Sequence, residues 1–121
     1  MSIGYKRGDV VFVDLDPVKG SEQGRRRHCI IVQNDVGNLN SPITTIIPLT
    51  DAKHIKKMYP VYILIDKTES GLGKDSVALC SQIKSIDQEE RILARVGHLS
   101  DEKMKEINLA LKIQLDLTEG D

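Results

Sequence analysis

The segment at residues 20–27, GSEQGRRR, gathers more ligand-binding chemistry than any other stretch of this chain. Ser21 and Gln23 are uncharged hydrogen-bonding groups, Glu22 adds a carboxylate, and Gly24 lets backbone approach closely. Arg25, Arg26 and Arg27 each present a planar fork of donors that matches phosphate oxygens. A basic loop run can equally be a solvated surface patch, and composition alone does not separate the two. Arg27 ends the loop where a strand begins, so its backbone should be the best fixed of the three. Arg25 and Arg26 read as surface charge or as groups that guide an anionic chain.

Other catalytic signatures are missing from the sequence. There is no HExxH, no CxxC pair, no GxxxxGK[ST] and no GxSxG. A catalyst of this composition is expected to need no metal and no cofactor. RNA offers a reaction that suits such a site, because its own 2′-OH can attack the adjacent phosphate. The protein then has only to align the attack and stabilise charge on the phosphoryl oxygens. Thr50, closing the PLT at residues 48–50, puts a hydroxyl at a strand end. Alone, that is a weak signal.

The elements that must position these groups read as mostly β. Residues 9–15 (DVVFVDL) form a β-branched run bounded by Gly8 and Pro17 and predict a strand. Residues 16–26 carry Pro17, Gly20 and Gly24 and predict a long polar loop. Strands follow at 28–33 and 43–49, joined by the turn-forming NDVGNLNSP, then at 59–65, 76–80 and 82–86. Ser100 is a good N-cap with Asp101 and Glu102 in the first turn, and Gly120 lies past the far end. Met104, Ile107, Leu111 and Leu115 recur at helical spacing as a core face, and Leu109, Ile113 and Leu117 add a second apolar strip. That second strip either widens the core face or helps a subunit contact. A shorter helix begins at Asp87. The expectation is one α+β domain over 1–121, an antiparallel barrel or coiled sheet with a C-terminal helix.

Net charge is −1, but residues 1–60 carry +3 and residues 61–121 carry −4. A local basic site on a near-neutral body fits this split; non-specific coating of nucleic acid does not. The N-terminus lacks an apolar h-region and no apolar run could span a bilayer, so a cytoplasmic protein without membrane attachment is expected. Cys29 and Cys80 read as buried reduced thiols. The few aromatic side chains, Tyr5, Phe12, Tyr59 and Tyr62, make no wide stacking platform, and Phe12 reads as core. Specificity for RNA would then rest on hydrogen bonds to base edges. His54, Lys56 and Lys57 fall in the loop after Thr50, at the border of any groove there or in solvent, and His98 reads as structural.

Taken together these segments resemble the MazF/PemK toxin family. KRGDVVFVDLDPVKGSEQGRRR, QNDVGN at 33–38, PLT at 48–50, DSV at 75–77, QIKSID at 82–87 and the helix after HLSDE match in order. The resemblance implies an SH3-like (CcdB/PemK-type) barrel with appended helices, acting as a homodimer. It implies metal-independent, sequence-specific cleavage of single-stranded RNA, leaving a 2′,3′-cyclic phosphate and a 5′-OH. It also implies a cognate MazE-like antitoxin whose flexible peptide tail covers the RNA site. By position the catalytic arginine is Arg27 and the catalytic threonine Thr50, with Ser21, Glu22, Gln23, Gly24, Asn34, Ser76 and Gln82 lining or neighbouring the RNA groove. In that mechanism Arg27 grips the scissile phosphate and Thr50 donates to a non-bridging oxygen. Either His28 or water takes the 2′-OH proton.

Two positions depart from the family pattern. His28 stands where proline usually follows the arginine, so the loop loses a backbone restraint. His28 is then either an accessory proton carrier near neutral pH or an edge-of-strand structural side chain. Cys80 and Ser81 precede Gln82 where relatives carry acidic or aliphatic residues, which bears on base preference. Two other functions fit the same barrel: a CcdB-like topoisomerase poison without catalysis, and a non-catalytic RNA-binding module. The C-terminal LKIQLDLTEGD carries no matching signal for the first.

Overall fold

A computed structural model describes residues 4–117. Its strands are β1 (Asp9–Asp14), β2 (Arg26–Ile31), β3 (Ile43–Asp51), β4 (Tyr62–Ile65), β5 (Ser76–Leu79), β6 (Lys84–Asp87) and β7 (Ile92–His98). Its helices are α1 (Asp35–Asn40), α2 (Lys67–Ser70), α3 (Gln88–Arg91) and α4 (Asp101–Leu115). All pairings are antiparallel, in the order β4-β5-β3-β2-β1-β7, with β6 also on β3. The expected antiparallel α+β architecture is present.

β1 explains why the sheet closes around two cores. Val10, Val11 and Val13 are all fully buried, so this strand is covered on both faces. Val10 packs with Ile30, Ile47, Leu49, Ile65 and the α4 residues Met104 and Ile107. Val11 and Val13 pack on the opposite side with Leu15, Cys29, Ile31 and Ile46. Burying each such side chain contributes about 1.5–3 kcal/mol. Cys29 and Cys80 are free and buried, as expected.

β3 links the two halves of the sheet. Its start pairs with β6, its middle with β2, and Leu49, Thr50 and Asp51 pair with Ala78, Val77 and Ser76 of β5.

Four expectations need correction. NDVGNLN holds helix α1 rather than turns: Asn34 caps it by accepting from Gly37 N at 2.8 Å, and buried Asn38 bonds Gln33 and Thr44. β7 is a strand that sequence reading did not anticipate, and its pairing with β1 shifts register twice. Such bulges break the period-2 pattern that would have revealed it. Leu115 is exposed at 53%, so the buried face of α4 is Met104, Ile107 and Ala110 with Leu111 packed beside it. The helix ends at Asp116 in a left-handed conformation, and Gly120 lies outside the described residues. The fourth correction, to Phe12, belongs to the site below.

Other expectations hold. Ser100 caps α4 by accepting from Lys103 N, and Asp87 caps α3. β4 is shorter than residues 59–65 because Tyr62 N turns back to Tyr59 O at 2.9 Å. Leu109, Ile113 and Leu117 form no part of the core; they are 57–62% exposed.

Candidate nucleic-acid-cleaving site

The loop between β1 and β2 is shaped by its own backbone. Leu15 N donates to Arg25 O at 2.9 Å, and Arg25 N donates to Asp16 Oδ1 at 2.6 Å. Arg25 has φ of 62°, a left-handed conformation unusual for a side-chain-bearing residue. A Cβ on Gly24 would lie 2.4 Å from Val18 Cγ2, which explains the glycine there by close approach. Arg91 Nη1 donates to Asp14 O at 3.2 Å and also to Asp16 O, holding the loop's start. The loop's tip is held by Gln23 N, which donates to Gln82 Oε1 at 2.8 Å.

Arg27 sits half-buried on β2 opposite Val13. Its Nε donates to Gly24 O at 3.0 Å and its Nη1 to Leu49 O at 3.3 Å. These bonds fix the guanidinium and leave the rest of its five-donor fork for a ligand. Leu49 O is the carbonyl that leads directly into Thr50. The arginine is therefore tied to the backbone that carries the threonine.

Arg27 and Thr50 line one surface depression of about 520 Å³. Gln23, Arg26, His28, His54, Lys74 and Ser76 also contribute to its wall. A second depression, about 680 Å³, is lined by Ser21, Glu22, Gln23, Gln82, Lys19 and Lys84 over an apolar floor that includes Leu15, Ile46, Pro48 and Ile83. Gln23 belongs to both. The loop itself encloses a third, smaller hollow that Gly24, Arg25 and Arg27 share. Asn34 is not part of either larger depression; its side chain is spent on capping α1.

Phe12 is the correction to the expected core. It is half-buried, lines the depression, and packs on His28 with ring centroids 4.9 Å apart. Sequence reading missed it because its neighbours Val11 and Val13 are core residues. Lys74 and Asp51 were also missed. Asp51 Oδ2 lies 3.6 Å from Lys74 Nζ and 3.9 Å from Lys53 Nζ. The backbone N–H of Lys53, followed by the charges of Lys53, Lys74 and His54, holds the Asp51 carboxyl below the usual carboxylate range. Lys74 was findable, as it directly precedes the DSV segment. Lys56 and Lys57 are exposed, and Lys57 Nζ sits 5.3 Å from the Tyr59 ring rather than at the site.

Burial pushes the His28 imidazole below its ordinary range, and the Lys74 charge adds to this. Both make its neutral form the stable one at pH 7. His98 lies elsewhere, its Nδ1 2.7 Å from Asp9 Oδ1, a structural pairing as expected. Among the described residues, no group of three or more His, Cys, Asp or Glu is placed to hold a metal ion. No described helix is long and apolar enough to cross a membrane.

A fixed guanidinium, a hydroxyl and further cations surround one open hollow, an arrangement whose donors and charge complement a phosphate. Residues 6–115 match the family described as PemK-like, MazF-like toxin of type II toxin-antitoxin system. The chain belongs to this PemK/MazF family. It is 45% identical over 112 residues to Endoribonuclease MazF of Staphylococcus saprophyticus, covering 93% of this chain and 92% of that protein. It is also 45% identical over 112 residues to Endoribonuclease EndoA of Bacillus subtilis, covering 93% and 95% respectively. Among solved structures, MazF from Deinococcus radiodurans superposes with a TM-score of 0.77 at 21% identity, covering 93% of this chain and 97% of that one. A mycobacterial endoribonuclease in complex with its cognate antitoxin gives a TM-score of 0.77 at 20% identity, covering 95% and 98%. These two likenesses show that the fold is shared over 93–95% of this chain.

Proposed function

We propose that this PemK/MazF protein is the endoribonuclease toxin of a toxin–antitoxin pair. It cuts single-stranded RNA at a short sequence motif, without a metal, through attack of the RNA's own 2′-OH. The observation that carries this reading is the bond from Arg27 Nη1 to Leu49 O, which sets the arginine beside Thr50 at one hollow. Its 45% identity to proteins named endoribonuclease supports the same chemistry over the poison and binding-module alternatives.

In this mechanism the scissile phosphate enters the depression. Arg27, already oriented by two backbone carbonyls, pairs with the phosphoryl oxygens as they gain charge in the pentacovalent transition state. Thr50 donates its hydroxyl to a non-bridging oxygen. Attack of O2′ and departure of O5′ leave a 2′,3′-cyclic phosphate and a 5′-OH. Arg26 and Lys74 attract the backbone into the hollow. Bases beside the cut lie in the second depression, where Ser21, Glu22 and Gln82 read their edges above an apolar floor.

The partners follow from the same reading. The exposed Leu109 and Ile113 of α4, with Leu117 just past its end, suit a second copy, giving a homodimer. The antitoxin lays a flexible tail across the basic hollow, and the pair works in the cytoplasm. Incubating the purified chain with a long RNA in excess EDTA, then sequencing fragment 5′ ends, tests the function. Cuts at one motif, with 5′-OH ends and loss of cutting in Arg27→Ala, are expected. An intact RNA under these conditions refutes it.

A further inference from the structure

The site carries an imidazole in place of the proline expected after the arginine, and the fold gives that imidazole a defined seat. Phe12 and His28 face each other across the β1–β2 ladder. They continue the row begun by Val10 and Ile30, which are fully buried in the α4-side core. That row emerges at the depression, where Phe12 and His28 line the wall with Arg27 and Thr50. The Phe12 ring, its centroid 4.9 Å from that of the imidazole and tilted 43° to it, packs on His28 from the neighbouring strand. Leu49 and Leu72 complete an apolar border.

Resting on the ribonuclease reading above, we propose that His28 is the general base that takes the 2′-OH proton in this enzyme. The step balances within the site. The O2′–H proton passes to an imidazole nitrogen of His28 as O2′ forms its bond to phosphorus. The P–O5′ bond breaks, O5′ takes a proton from water in the open hollow, and His28 returns its proton to solvent. Arg27 stays a cation throughout and is relieved of any proton-transfer duty, for which a guanidinium is poorly suited.

The charges facing His28 suit this role. Lys74 comes from the loop before β5, Arg26 and Arg27 from its own strand, and Asp51 and His54 from the end of β3 and the turn after it. Asp51, the carboxylate in this wall, is already engaged by Lys53 and Lys74, so it does not draw His28 toward the cation. His54, by contrast, is exposed at the rim. The half-buried ring is the better-placed base.

Replacing His28 by Phe keeps an aromatic pair with Phe12 and removes only the proton acceptor. Single-turnover cleavage of an RNA with a mapped cut site should fall on the order of 10²-fold in His28→Phe, with KM nearly unchanged. Wild-type rate should fall on acidification with an acid limb shifted below the ordinary histidine range, and His28→Phe should lose that limb while His54→Gln keeps it. With ¹³C-labelled histidine, the His28 ring signal should shift when an uncleavable strand, 2′-deoxy at the cut, is added. A His28→Phe enzyme as fast as wild type, an acid limb lost instead in His54→Gln, or a His28 signal indifferent to the strand would each overturn the assignment. If Arg27→Ala abolishes cleavage while His28→Phe does not, only the base assignment falls. If wild type cuts no RNA, both readings fall together.

Discussion

Gln23 and Gln82, 59 positions apart in the chain, meet through a hydrogen bond from Gln23 N to Gln82 Oε1 at 2.8 Å. The bond pins the tip of the β1–β2 loop to the turn between β5 and β6. It also sets the wall between the two depressions, since Gln23 lines both. Gln82→Ala should release the tip at a cost of about 1 kcal/mol, roughly a fivefold rise in KM for RNA. Faster amide exchange at Gln23, with exchange in the core strands unchanged, would show that the effect is local.

Arg27→Ala should lower cleavage by about 10²–10³-fold, the loss typical of one preorganised electrostatic donor. Arg27→Lys keeps charge but not the fork, and should recover only part of the rate. Single-turnover assays of the three proteins measure both steps. A lysine variant as active as wild type would mean that charge alone suffices.

Gly24→Ala asks for space that Val18 already fills, at 2.4 Å from the new Cβ. The loop must shift, moving the Gly24 carbonyl that accepts from Arg27 Nε. Cleavage should drop at least about tenfold, as small misplacements do at catalytic groups. Circular dichroism should show an unchanged sheet.

Stability should bend at both ends of the pH range. The folded His28 pKa is lowered by burial and then by Lys74, so its contribution is present above pH 6.5 and is lost as pH falls through the depressed value. Burial raises the thiols of Cys29 and Cys80 from 9.0 to about 12, so their contribution is present below pH 9 and is lost as pH climbs toward 12. Thermal melts across pH should show both declines. His28→Phe should remove the decline that sets in below pH 6.5 and leave the alkaline decline, with the lowered Asp51 and Asp66 carboxyls still weakening the fold at more acid pH.

Asp9 is a buried carboxylate, its Oδ1 2.7 Å from His98 Nδ1 and its Oδ2 accepting from Lys6 N at 2.8 Å. Arg95 Nη1 lies 3.5 Å from Oδ2. Asp9→Ala strands these donors and should cost roughly 2 kcal/mol of stability, read by urea unfolding. Cleavage per folded molecule should stay unchanged, because this cluster is not part of either depression.

The valine run of β1, the caps at Ser100 and Asp87 and the polar loop were legible in the sequence because each depends on local chemistry. What was illegible depends on distant partners. Helix α1 is built from residues of low helix propensity and is held by Asn38, which bonds Thr44 on β3 while Gln88 of α3 donates to its carbonyl. β7 is disguised by two bulges against β1. At the site, Arg27 could be favoured over Arg25 and Arg26 from its place at a strand start. Thr50 had only a weak local signal, since its place beside Arg27 comes through the Leu49 carbonyl that accepts from that arginine. Phe12 looked like core for the same reason that it backs His28: it sits at the open end of a core row.

β3 gives the enzyme a division of labour. The strand that carries Thr50 also pairs with β2, which carries Arg27, so the two proposed cutting groups share one hydrogen-bonded frame. Ser21, Glu22 and Gln82, in contrast, lie in connecting segments outside the strands. On the proposed reading, rewriting those connections should change which RNA words are cut while the blade is left as it is. The fold is a chassis on which new cutting specificities can be mounted one loop at a time.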